Sequence, residues 1–165
     1  MDRFVLTGDL LTNIQDIDQQ HRVLFKLANQ IVEPSTIERG PAYFLEVVAT
    51  LRAYVHYHFA AEELSMQQAQ YPRAELHRHW HDTFRTEVAT IDDEAKAGGI
   101  SKALKLRVSF AIENWLLEHI RINDRELAEF LVRKSGIHMI RLPDASALKA
   151  AGIIPVNFDE YAASR

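Results

Sequence analysis

Apolar residues recur along the chain at helical spacing, in four long segments separated by short polar or Pro/Gly breaks. The breaks fall at Pro34-Ser35, Gly40-Pro41, Tyr71-Pro72, Gly98-Gly99 and Gly136. The first segment runs from about Ile17 to Glu33, with Ile17, Leu24, Ala28 and Ile31 on one stripe. The second opens at Pro41, a favoured first-turn residue, and reaches about Gln70. Its stripe reads Phe44, Val48, Leu51, Val55, then His58 and Glu62, then Met66. The third begins near Pro72 and ends at the glycine pair, with Phe84, Val88, Ile91 and Ala95 in phase behind His77 and His81. The fourth starts at Ser101, a good N-cap, and runs to about Lys134 through Leu104, Val108, Ala111, Trp115 and His119.

Four amphipathic helices with short connections predict an all-α fold, an antiparallel up-down-up-down four-helix bundle. Residues 1–16 read as an extended N-terminal arm. The division expected is a bundle domain over 1–134 and a C-terminal tail over 135–165, with a short helix in "LPDASALKAAG".

Histidine and glutamate interrupt stripes that should face a core. Taken singly, each has an ordinary explanation. His21 reads as a satisfied core histidine, the pair His77 and His81 as a surface coincidence, and His58 with Glu62 as a helix end that has reached solvent. Together they do not. In an antiparallel bundle the depth of a residue follows from its distance to the helix end. His58 and Glu62 near the end of the second helix, and His77 and His81 near the start of the third, reach the same level. His21 early in the first helix and His119 in the later half of the fourth reach it too. An ionised carboxylate on such a stripe is costly unless it is paired or metal-bound.

Asp124 lies five residues beyond His119, about 140° away on a regular helix. A π-bulge between them would swing it inward, in phase with Leu127 and Leu131. A regular helix would leave it in solvent.

Five imidazoles and two carboxylates suit first-row metals such as iron, copper, zinc or manganese. Seven ligands exceed what one metal takes. With both carboxylates bridging, they suit two, and one coordination position stays open for a small molecule.

Composition narrows the rest. The chain has 165 residues and a formal net charge of −4, without a basic run, which argues against nucleic acid as a partner. It has no cysteine, so thiolate sites and disulfides are excluded. No apolar run approaches the ~18 residues of a spanning helix, and "MDRFVLTGDL" does not read as a signal peptide. No membrane association and a cytoplasmic location are expected.

The stretches "IDQQHRVLF", "HFAAEELSM", "YPRAELHRHWHDTF" and "WLLEHIRINDREL" resemble the successive signatures of the hemerythrin family, in its bacterial form, over about residues 7–131. The arm lacks the tryptophan often found there and carries Phe4 nearby. The resemblance implies an oxo- or hydroxo-bridged pair of iron ions as cofactor. His77, His81 and His119 would ligate one iron, His21 and His58 the other, and Glu62 and Asp124 would bridge. It implies dioxygen binding at the iron with two histidines, in an apolar pocket formed by Leu24, Phe25, Phe59, Trp115, Leu116 and Ile120.

The function expected is reversible dioxygen binding without catalysis, for storage, delivery or sensing. The competing readings are a di-iron redox enzyme, a nitric oxide- or peroxide-handling protein, and a sensor that signals to a protein partner through the tail. Oxygen-activating di-iron carboxylate bundles use Glu-x-x-His motifs, which this chain lacks: Glu62, Glu63 and Glu118 are followed three residues on by Ser65, Met66 and Arg121.

Overall fold

The computed structural model describes residues 3–135 and 141–153. Gly136, where the pattern predicts a break, and the final stretch from residue 154 lie outside them. The helices are α1 (Gln15–Val32), a short α2 (Pro34–Glu38), α3 (Pro41–Ala69), α4 (Ala74–Gly98), α5 (residues 102–135) and α6 (Ala145–Ala150). Among the described residues there is no strand. The expected up-down-up-down bundle is formed by α1, α3, α4 and α5, with α1 and α4 each packed between α3 and α5.

Local chemistry sets the helix ends. Pro41 opens α3 after Gly40, whose φ of 92° needs a residue without a side chain. Gln70 takes a left-handed conformation to stop α3. The Ser101 hydroxyl accepts a bond from Leu104 N at 3.0 Å and caps α5. Helix α2 occupies the stretch read as a break, because proline is tolerated in a first turn. The predicted stripes are the core: Ile17, Leu24, Ala28, Ile31, Phe44, Val48, Leu51, Val55, Phe84, Val88, Ile91, Ala95, Leu104 and Val108 are all buried.

Helix α5 is continuous but irregular. α-Helix over Lys102–Ala111 gives way to a π turn at Ile112–Leu116. A single α turn at Leu117–His119 follows, then a second π turn at Ile120–Asp124, and α-helix resumes over Arg125–Ser135. The π turn anticipated between His119 and Asp124 is therefore present. The one at Ile112–Leu116 had no signature in the sequence.

The N-terminal arm is extended apart from a 3₁₀ turn at Gly8–Leu10. The Asn29 side chain holds it on α1, accepting from Phe4 N at 2.9 Å and donating to Phe4 O at 2.7 Å, and Phe4 is buried. In the tail, α6 forms where a short helix was expected, capped by Asp144, and it packs on α3 with Leu148 fully buried. Asp16 accepts from Leu142 N at 3.0 Å, and His56 Nε2 lies 3.2 Å from Ile153 O. The described part of the tail thus docks on its own bundle. Among the described residues, no helix is long and apolar enough to cross a membrane.

Candidate metal centre

One level of the bundle interior collects all seven polar residues singled out from the stripes. His21 comes from α1, His58 and Glu62 from α3, His77 and His81 from α4, and His119 and Asp124 from α5. All seven are buried. Spacing of four places His58 above Glu62 and His77 above His81 on single helix faces. Asp124 joins them through its π turn, whose i→i+5 bonding brings residues five apart onto one face.

The ligand-type atoms fall into two overlapping groups, each lying within 4.8 Å. One contains Glu62, His77, His81, His119 and Asp124, and the other His21, His58, Glu62 and Asp124. Both carboxylates belong to both groups, and each divides its oxygens between them. Asp124 Oδ1 lies 3.1 Å from His119 Nε2 and 3.2 Å from His77 Nε2, while Oδ2 lies 3.1 Å from His21 Nε2. Glu62 Oε2 lies 3.2 Å from His81 Nε2, while Oε1 faces His58 Nε2 at 3.7 Å.

None of these inward atoms has a hydrogen-bond partner. The orphans include the Nε2 atoms of His21, His58, His77, His81 and His119 and all four oxygens of Glu62 and Asp124. Buried carboxylates elsewhere have cationic or hydroxyl partners: Asp92 Oδ2 accepts from Arg52 at 2.7 Å and Lys96 at 2.6 Å, although its Oδ1 has none, and Asp18 Oδ1 accepts from Thr12. An unpaired buried polar atom is expensive, and nine gathered at one level would be untenable without something to bind them. Lone pairs aimed at a common centre rather than at each other are what a cation needs. The nitrogen and oxygen donor set fits first-row transition metals.

Several histidines are oriented from behind. His58 Nδ1 donates to Gln20 Oε1 at 2.8 Å, and Gln20 reaches Tyr57 OH at 3.4 Å. His81 Nδ1 donates to Glu63 Oε1 at 2.8 Å. The Asn123 side-chain amide lies 3.3 Å from His119 Nδ1. With Nδ1 carrying the proton, the Nε2 lone pair of His58 and of His81 points inward. Burial, with His21 beside the first and His77 beside the second, holds His58 and His81 well below the usual imidazole range, so both stay neutral. Burial opposes charge on His77 too, but Asp124 and Glu62 outweigh it and raise its pKa to about 9. Burial and then Asp124 raise the pKa of Glu62. Asp124 is driven well below the usual carboxylate range, because His119, His21 and His77 overcome the opposing effect of burial.

His56 and Glu63 both fall off the inward stripe of α3. His56 lies on the surface, as that register requires, whereas the Glu63 carboxylate engages His81. Off-stripe residues at a helix shoulder still reach a neighbouring helix, and register alone does not show this. Gln20, Asn123 and Glu63 carried no signal beyond being adjacent or nearly so to ligand-type residues. The apolar candidates Leu24, Phe25, Phe59, Leu116 and Ile120 are buried, and Trp115 is half-buried. Phe59 stacks on the His81 ring at 3.9 Å and 4°, and Trp115 on the His119 ring at 4.6 Å and 11°. These two aromatics therefore wall the three-histidine group.

Residues 12–131 match the family model described as the hemerythrin HHE cation binding domain. A bacteriohemerythrin of Stenotrophomonas maltophilia (strain R551-3) is 34% identical over 127 residues, covering 76% of this chain and 79% of that protein. One of Pseudomonas aeruginosa (strain LESB58) is 32% identical over 125 residues, covering 75% and 78%. One of Clostridium acetobutylicum is 26% identical over 129 residues, covering 74% and 97%. Among solved structures, a leucine-to-tyrosine mutant of hemerythrin superposes with a TM-score of 0.70 at 23% identity, covering 79% of this chain and 98% of that one. That last likeness concerns the fold.

Proposed function

The chain belongs to the hemerythrin family, and on that premise we propose that it binds dioxygen reversibly at a non-haem di-iron centre, without catalysing a reaction. His77, His81 and His119 would hold one iron and His21 and His58 the other, with Glu62 and Asp124 available to both. The observation that carries this reading is the shared membership of Glu62 and Asp124 in both donor groups, each with one oxygen toward either side. A pair of iron ions there supplies the electrons and the open coordination that dioxygen uptake and return require.

The protein's own part is to hold donors and exclude water. Gln20 and Glu63 fix the tautomers of His58 and His81, so that lone pairs and not N–H groups face the metals. The second group has two histidines against three, so it is the side that would leave room for a small ligand. The buried side chains of Leu24, Phe25, Leu116 and Ile120 supply an apolar surround, and Phe59 and Trp115 keep the His81 and His119 rings from turning. That surround would exclude water and its protons from the site. The unit that carries this function is residues 1–134, with 135–165 as an appended tail.

The test is metal analysis combined with a spectral cycle between anaerobic and aerobic states. Two irons per chain are expected, with visible bands of an oxo-bridged ferric pair that appear with oxygen and vanish under vacuum, repeatedly. Bands that bleach once and never return, or product formed from an added reductant, would overturn reversible carriage in favour of oxidation chemistry.

A further inference from the structure

The two halves of the centre differ in what stands behind their histidines. His81 Nδ1 donates to a carboxylate oxygen, Glu63 Oε1, at 2.8 Å. The same oxygen lies 2.9 Å from Arg85 Nη1. Arg85 also bonds Asp82 at 2.8 Å, and its guanidinium carbon sits 5.3 Å from the Phe59 ring centre. Phe59 in turn lies flat on the His81 ring, 3.9 Å away. The imidazole is thus gripped at its edge and on its face. His58 Nδ1 donates over the same 2.8 Å, but to the neutral amide oxygen of Gln20.

Equal lengths conceal unequal chemistry. An imidazole that donates its N–H to a carboxylate shares that proton more fully, so its other nitrogen becomes a stronger donor; an amide oxygen draws on the proton less. A stronger donor stabilises the higher oxidation state of the metal it binds.

We propose that Glu63, clamped by Arg85, is a positioning residue that makes the three-histidine position the more electron-donating of the two, so that the metal held there is the harder to reduce. Gln20 leaves the two-histidine position the more easily reduced. This rests on the two-metal reading above. It adds that the centre is electronically asymmetric by construction of its outer contacts, and not only through histidine number.

The experiment loads the full-length protein and its Glu63→Gln variant with zinc, and separately with iron. Zinc-loaded samples report the His81 Nδ1 proton by NMR. Iron-loaded samples report midpoint potentials by spectroelectrochemical titration. Glu63→Gln is expected to keep two metals per chain, to lose about 10–100-fold in zinc affinity, to shift the His81 Nδ1 proton upfield and to move a midpoint potential positive. An Arg85→Gln variant leaves the Glu63 charge less compensated, and a potential is expected to move negative. Weaker zinc binding with unchanged potentials in Glu63→Gln would mean a structural role only and overturns the proposal. If Glu63→Gln fails to fold by circular dichroism, Arg85→Gln decides: a negative shift supports the proposal and no shift overturns it. If the unaltered protein binds fewer than two metals, the di-iron reading itself fails and this inference falls with it.

Discussion

His119 and Asp124 stand five positions apart on one continuous helix, yet His119 Nε2 lies 3.1 Å from Asp124 Oδ1. A regular helix would point them about 140° apart. The π turn over Ile120–Asp124 closes that gap. Its cost in helix regularity is accepted because Asp124 alone reaches both donor groups from α5.

Asp124→Ala should therefore remove a donor from both metals at once. The expected iron content falls from two per chain to less than one, measured by elemental analysis after dialysis. Asn123→Ala touches only the rear of His119, so it should keep both irons with affinity lowered by about 10-fold. Full occupancy in the Asp124→Ala protein would contradict the bridging assignment.

His58 and His56 sit two residues apart with opposite fates, one fully buried and one on the surface against Ile153 O. His58→Ala should bind one iron firmly and the second weakly or not at all, while His56→Ala should bind two. The reverse outcome would show that the register of α3 around the site is wrong.

Metal affinity should rise with pH up to about 9. At neutral pH the metal-free protein carries a proton on His77, whose pKa is raised to about 9, and that proton must leave before Nε2 can ligate. Loading zinc in weakly buffered solution at pH 7.5 should acidify it. No proton release would sink the prediction.

The metal-free fold has a linked pH dependence. His58 and His81 stay neutral in the native state, with pKa values below that of the unfolded chain. Their contribution to stability is present above pH ~6.5 and is lost as pH falls below it. His77 contributes the opposite way, fully below pH ~6.5 and progressively less as pH rises through about 9. Glu62, raised by burial and by Asp124, acts in the same sense as His77 from its ordinary value of 4.5 upward. Melting temperature without metal should therefore decline on the alkaline side between about pH 7 and 9. A melting temperature that climbs over that interval would be inconsistent with a protonated His77.

Leu148 is fully buried where α6 meets α3, but no described tail residue belongs to either donor group. Leu148→Ala should loosen residues 141–153, seen as faster amide hydrogen exchange there, with two irons retained. Iron loss in this variant would make the tail part of the site.

The sequence was most legible where one residue's burial had no apolar explanation. Histidines on helical stripes, at four-residue spacing and at one depth, point to the donor cluster. Asp124 was reachable only through its departure from helical phase. The role of Glu63 is not legible, because its link to His81 crosses from α3 to α4 and depends on side-chain reach, which no stripe records. The same limit hid Gln20 and Asn123, and the π turn at Ile112–Leu116.

What the sequence alone determined is the four long helices, the face each buries and the level at which the histidines and Glu62 meet, because helical period and helix length fix all three. What only the tertiary structure decided is how those side chains divide: which oxygen of Glu62 and Asp124 serves which group, and which histidine is backed by a charge and which by an amide. Those are distances of a few ångströms between helices, set by packing and rotamers across the bundle and by no periodicity along the chain.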